Sequence, residues 1–132
     1  MLETADKTLK ILICDDDIQD RKLIRYYLQD IADWHIDTIE AGRQDEIQAA
    51  IDNGKVDVVL LDLQMPEKSG VDWLREIVAK DFAPVIILSG YGDEEVAANS
   101  IQNGAFGYIP KRRLSTEKLV GTIDRVLEKR RE

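Results

Sequence analysis

Val58-Val59-Leu60-Leu61-Asp62 is a continuous apolar run that stops on a carboxylate. So short and so apolar a run is expected of a central strand buried on both faces of a parallel sheet. The same pattern recurs on either side of it. Ile11–Cys14 runs into Asp15, Asp16 and Asp17, and Val85–Leu88 runs into Ser89. Phe106–Ile109 leads through Pro110 to Lys111. As parallel strands of one sheet, these runs place their polar ends along a single edge, where ligands of open α/β sheets bind. Carboxylates, a hydroxyl and an ammonium at that edge point to a divalent metal and a phosphoryl group.

Between the strand-like runs lie helix-like ones, the alternation expected of βα units. Asp17 can cap a helix carrying Leu23, Ile24, Tyr27, Leu28 and Ile31 at helical spacing. A second strand is expected around His35–Glu40. A helix with Ile47, Ala50 and Ile51 on one face follows and ends at Asn53-Gly54. Ser69 opens a third helix, with Asp72 placed to complete a capping box and Val71, Leu74, Ile77 and Val78 as its buried stripe. Asp93, Glu94 and Glu95 suit the start of a fourth helix, whose Val96, Ala97, Ala98 and Ile101 make a thin apolar face. Ser115 caps the last helix, Leu114 and Leu119 have the spacing of a hydrophobic staple, and Ile123, Val126 and Leu127 continue its inner face. Five strands and five helices are expected.

The chain has 132 residues, enough for one domain with one core. With 44% hydrophobic and 33% charged residues, its composition indicates neither disorder nor a membrane span. No apolar stretch approaches the roughly 20 residues that cross a bilayer. The first residues lack the basic and apolar regions of a signal peptide. Cys14 is the single cysteine, so no disulfide can form within the chain, and a cytoplasmic setting is expected. A net charge of −8 argues against nucleic-acid binding by this domain. The clusters Lys111-Arg112-Arg113 and Lys129-Arg130-Arg131 are weak as phosphate-backbone patches, and the second suits the solvated end of a helix.

Asp15 and Asp16 end a buried strand, where neighbouring carboxylates repel each other and resist ionisation. A cation removes that conflict, and Mg²⁺ favours one or two carboxylates together with water and phosphate oxygens. Asp62, ending the neighbouring strand, can share the metal, and a carboxylate can attack phosphorus to give an aspartyl phosphate. Lys111 supplies a positive charge and Ser89 a hydrogen bond to phosphoryl oxygens. Singly, each has a plainer reading as a cap, a turn residue or a surface charge. Together at four strand ends they favour function.

At these residues the chain resembles the response-regulator receiver domain of two-component signalling, from Ile11 to about Arg130. Ile11–Asp17 looks like the family's first strand and acidic pair, and Val58–Pro66 followed by Ser69-Gly70 like its phosphorylation-site segment. Pro84–Gly90 is similar to the strand ending in a hydroxyl and a small residue, and Gly104–Lys111 to the segment with the switch aromatic and the lysine. The resemblance implies a CheY-like, flavodoxin-like doubly wound sheet of order 2-1-3-4-5 flanked by five helices. It implies Asp62 as phosphoryl acceptor, Asp16 as direct Mg²⁺ ligand, Asp15 as a ligand through water, and the Gln64 backbone carbonyl as a further contact. Ser89 and Lys111 would bind phosphoryl oxygens, Tyr108 would move inward as Ser89 is recruited, and Gly90 would admit the phosphodonor. The implied partners are a histidine kinase or histidine phosphotransfer protein. A second copy could bind through the face of the fourth helix, fifth strand and fifth helix.

Gln64 stands at a position that is variable and rate-tuning in the family. Arg112 replaces the proline that follows the lysine in many receivers, so a trans bond is expected there. Gly42–Gln48 fits the family pattern poorly. Two other readings compete with a phosphorylation switch that is not itself an enzyme on other substrates. A Mg²⁺-dependent phosphotransferase or phosphatase of the haloacid-dehalogenase kind usually has a second acid two residues after the nucleophile, where this chain has Gln64. A degenerate receiver serving as a binding module would lack Asp62, the acidic pair or Lys111, and all are present. His35, Cys14, Trp34 and Trp73 read as structural residues. Residues 1–9 are expected to be a tail and 10–132 the receiver. Its last helix meets no Gly or Pro stop and is expected to lead into an output domain.

Overall fold

The computed structural model describes residues 7–90 and 94–131. The order of elements is β1 (Lys7–Cys14), α1 (Ile18–Gln29), β2 (Trp34–Ala41), α2 (Gln44–Asn53), β3 (Val58–Asp62), α3 (Gly70–Ala79), β4 (Val85–Ser89), α4 (Glu94–Gln102), β5 (Gly107–Pro110) and α5 (Thr116–Arg131). A 3-10 turn over Lys111–Arg113 joins the last two. All neighbouring strands pair in parallel, in the order β2-β1-β3-β4-β5. β1 starts at Lys7, ahead of the Lys10 start expected for the domain. The expected helix cap at Asp93 lies outside the described residues.

Strand residues alternate between two apolar layers, as side chains on a pleated strand must. Ile11, Ile13, Val58, Leu60, Ile86, Leu88 and Ile109 face α1 and α5, where they meet Ile24, Leu28, Leu119, Ile123 and Val126. Leu12, Cys14, Val59, Leu61, Val85 and Ile87 face the other way, onto Ile47, Ile51, Trp73, Leu74 and Ile77. β3 and β4 are buried along their whole length, the reason for their uninterrupted apolar runs. β2 lies at the edge, and its polar residues are partly exposed, so its hydrophobic signal is weak.

Side-chain caps hold the helix ends. Asp17 Oδ1 accepts from the Gln19 N–H at 2.8 Å, and Ser69 and Ser115 hydroxyls accept from Asp72 and Lys118 N–H groups. Each such cap stabilises a helix by about 1 kcal/mol. Leu114 and Leu119 are both buried, as a staple requires. Thr116 ties α5 to α1 by donating its hydroxyl to the Tyr27 carbonyl at 3.0 Å. Described peptide bonds are trans, including Lys111-Arg112.

Three helix faces differ from expectation. On α3 the buried residues are Gly70, Trp73, Leu74 and Ile77, while Val78 is exposed and Val71 only partly covered. The large indole pulls that helix face toward the sheet, and the Lys68 ammonium lies 3.9 Å from the ring centre. Asp72 accompanies the Ser69 cap, with its carboxylate 3.7 Å from Arg75. On α1, Leu23 is exposed, and Ile31 is buried just beyond the helix end. On α4 the buried residue is Ser100, whose hydroxyl bonds back to the Val96 carbonyl, while Ile101 is exposed.

Candidate metal and phosphoryl site

The carboxyl ends of β1, β3, β4 and β5 form the predicted edge. In-register pairing aligns Cys14 with Leu61, and Asp62 with Leu88. Asp15 therefore lies one residue past β1, next to Asp62 at the end of β3, and Ser89 ends β4 opposite Pro110. Lys111 follows immediately. Asp15, Asp62 and Ser89 are buried, whereas Asp16 is exposed at the rim.

Ligand oxygens of Asp15, Asp16 and Asp62 all lie within 4.8 Å of one another. An all-oxygen donor set this tight suits a hard divalent cation. The Lys111 ammonium reaches into the same cluster, 2.7 Å from Asp15 Oδ2 and 3.0 Å from Asp62 Oδ2. The other oxygens of these two carboxylates accept backbone N–H bonds, Asp15 Oδ1 from Asp17 at 2.9 Å and Asp62 Oδ1 from Gln64 at 3.0 Å. These bonds fix the rotation of both carboxylates.

Burial pushes the Asp15 carboxyl above its usual pKa, against the opposing pull of hydrogen bonds from Lys111 and Asp17. Burial also disfavours the Lys111 ammonium. Hydrogen bonds to Asp15, Asp20 and Asp62 more than compensate, so its pKa lies above the usual lysine value. The Cys14 thiol is raised by desolvation, which makes it an inert core group.

Gln64 is exposed beside Asp62, and Tyr108 pairs with Ile87 in the sheet while packing partly buried against the α3-side layer. Among the described residues, a Cβ on Gly90 would meet Lys111 Cδ, at 4.0 Å, an ordinary van der Waals contact. His35 is exposed on β2, far along the strand from this edge.

Two residues belong to the site without having been anticipated. Asp20, in the first turn of α1, accepts from Lys111 Nζ at 2.6 Å. Arg21 donates to the main-chain carbonyl of Asp15 at 2.6 Å and to Glu40 Oε1 on β2 at 3.0 Å. Glu40 also pairs with Arg25. Arg21 thereby ties the acidic loop to β2. A side chain on Gly42 would collide with the Arg21 guanidinium, so the glycine makes room for it. The available signal was one helical turn of spacing, from Asp16 to Asp20 and from Asp17 to Arg21.

A doubly wound sheet with this acidic edge and its lysine defines a class of phosphorylation-controlled switch. The family model of the response regulator receiver domain matches residues 11–124, and the chain belongs to that family. It is 33% identical over 125 residues to the transcriptional regulatory protein YdfI of Bacillus subtilis, covering 87% of this chain and 53% of YdfI. It is 34% identical over 124 residues to HptR of Staphylococcus aureus, covering 89% of this chain and 47% of HptR. A receiver domain structure from Clostridium thermocellum superposes with a TM-score of 0.79 at 28% identity, covering 93% of this chain and 97% of that one. The chain spans about half the length of the curated relatives it matches. It is a regulatory domain of two-component signalling, a switch controlled by phosphorylation. Among the described residues no helix is long and apolar enough to cross a membrane.

Proposed function

We propose that Asp62 accepts a phosphoryl group from a phosphohistidine on a histidine kinase or histidine phosphotransfer protein. The observation that carries this reading is the Lys111 ammonium set between Asp15 and Asp62, within the three-carboxylate cluster. Asp16 would bind Mg²⁺ directly, Asp62 and the Gln64 backbone carbonyl would add ligands, and Asp15 would act through water. Mg²⁺ held there would supply positive charge to offset that of the phosphoryl oxygens.

An Asp62 carboxylate oxygen forms the new bond to phosphorus as the bond from phosphorus to the donor nitrogen breaks, and that electron pair leaves on the imidazole. The Gln64 N–H holds Asp62 Oδ1, which orients the carboxylate for attack. Lys111 and Ser89 take up phosphoryl oxygens, and Gly90 leaves the entry open. The chain catalyses only its own phosphorylation and the hydrolysis that reverses it. Recruitment of Ser89 frees space for Tyr108 to turn inward. The α4, β5 and α5 face then favours an effector or a second copy of the domain.

The names of the relatives, transcriptional regulatory proteins, support an output domain that binds DNA beyond this receiver. The receiver of that longer protein would then include Lys7–Leu9, which belong to β1, together with residues 10–132. With its net charge of −8, this domain leaves nucleic acid to such a partner domain. The single reduced thiol, Cys14, accords with a cytoplasmic setting.

Incubation with Mg²⁺ and acetyl phosphate tests the acceptor. Intact mass should rise by one phosphoryl group in the wild type and not in Asp62→Asn. Equal labelling of the variant would overturn the assignment.

A further inference from the structure

A lysine ammonium has three N–H donors. On Lys111 three carboxylates compete for them: Asp15 at 2.7 Å, Asp62 at 3.0 Å and Asp20 at 2.6 Å. Asp15 and Asp62 belong to the cluster that could hold a cation, and Asp20 does not. Their surroundings differ too. The side chains of Asp15 and Asp62 are 1% and 6% exposed, whereas that of Asp20 is 36% exposed, on the first turn of α1.

A divalent cation and an ammonium on the same carboxylates repel each other, strongly so a few ångströms apart where water is scarce. Loading the cluster therefore weakens the hold of Asp15 and Asp62 on the ammonium. Lys111 is only 17% exposed, and a largely covered cation without a counter-charge is costly. Asp20 already holds it and stands outside the metal cluster.

We propose that Asp20 is a positioning residue that carries the Lys111 ammonium while a divalent cation occupies the Asp15, Asp16 and Asp62 cluster. It thereby keeps the ammonium within reach of a phosphoryl group on Asp62. This rests on the metal and acceptor roles proposed above. Asp20 acts on the cation through Lys111 rather than by touching the metal. Its contact also links α1 to the segment after β5, so the lysine stays in the site when its two inner partners are taken.

A double-mutant cycle separates this role from a simple loss of negative charge. Mg²⁺ affinity is measured by calorimetry on wild type, Asp20→Asn, Lys111→Met and the double variant. Thermal melts confirm folding, and Lys111→Gln completes the cycle if Lys111→Met does not fold. Asp20→Asn should weaken Mg²⁺ about tenfold when Lys111 is present and less than about twofold when it is absent. Asp20→Glu should recover most of the wild-type affinity. An equal loss in both backgrounds, or no loss in either, would overturn the proposal. A wild type that binds Mg²⁺ but gives an additive cycle removes the role of Asp20 alone. A wild type that binds no Mg²⁺ removes the metal reading and this proposal with it. Acetyl phosphate labelling of the wild type reports separately on Asp62.

Discussion

Lys111 Nζ lies 3.0 Å from Asp62 Oδ2, although 49 positions separate the two residues in the chain. The ammonium partly offsets the charge of the acidic edge, and it contacts two of the three carboxylates that could hold a divalent cation. Metal loading and lysine placement are therefore coupled by charge.

Asp16→Ala should weaken Mg²⁺ binding by at least about tenfold, and Asp15→Ala by less. Asp16 sits exposed at the rim of the cluster, while both oxygens of Asp15 are engaged, by the Asp17 N–H and by Lys111. Calorimetric titration of the two variants decides the order. The reverse order would exchange the two roles.

Gly70 opens α3 directly beneath the Asp62-Leu63 segment, and its N–H donates to the Leu63 carbonyl at 3.0 Å. A Cβ there would lie 2.6 Å from the Asp62 carbonyl oxygen and 2.7 Å from that of Leu63. Backbone cannot yield as a side-chain tip can. Gly70→Ala should therefore destabilise the domain by about 1–3 kcal/mol and slow phosphorylation of Asp62. Gly121 lies on an exposed face of α5, and a Cβ there would meet nothing within 4 Å. Gly121→Ala should stabilise by about 0.5–1 kcal/mol. Urea unfolding of both variants checks the contrast, and equal effects would refute it.

Stability should depend on pH with opposite signs at two carboxylates. The Asp15 pKa is raised in the fold, so its contribution is complete below the ordinary value of 3.8 and is lost as pH rises through the folded value. In metal-free buffer Asp15→Asn should remove that falling component. At Glu76, the hydrogen bond from Lys68 outweighs partial burial and holds the pKa below the ordinary 4.5. Its contribution is present above 4.5 and lost as pH falls through the lowered value, and Glu76→Gln should remove that acid-side loss. Denaturant midpoints across the acid range test both signs. A wild type and an Asp15→Asn variant with parallel pH profiles would refute the first.

Phosphorylation should alter amide exchange across Ala97–Lys111 by more than about twofold at several positions. Ser89 ends β4, and Tyr108 on the neighbouring β5 packs against the α3-side layer, so movement at one site reaches the other through paired strands. Exchange that is unchanged across this segment would count against the switch.

Much of the edge was legible in sequence because a buried parallel strand allows few residue types. Val58–Leu61 and Val85–Leu88 are apolar on both faces, so the polar residue that ends each run marks where the strand leaves the core. Asp17 and Ser115 were legible as caps because a helix end demands a local acceptor. Asp15, Asp16, Asp62, Ser89 and Lys111 could thus be assigned to one edge before any distance was known.

Periodicity names the residues that share a helix face, but packing against the sheet decides how far that face turns. Trp73 therefore displaced Val78 from the inner stripe of α3, and Leu23 was left outside on α1. Asp20 and Arg21 were hidden for a related reason: on paper they are ordinary charged residues of an exposed helix turn. Only the docking of α1 beside β1 and β2 brings one to Lys111 and the other to Glu40 and the Asp15 carbonyl. Local sequence determined the strands, the caps and the chemical groups at the sheet edge, because those follow from burial and hydrogen bonding within a few residues. Tertiary structure decided which acids share the lysine, because charge pairing over 91 positions depends on how the helices settle on the sheet.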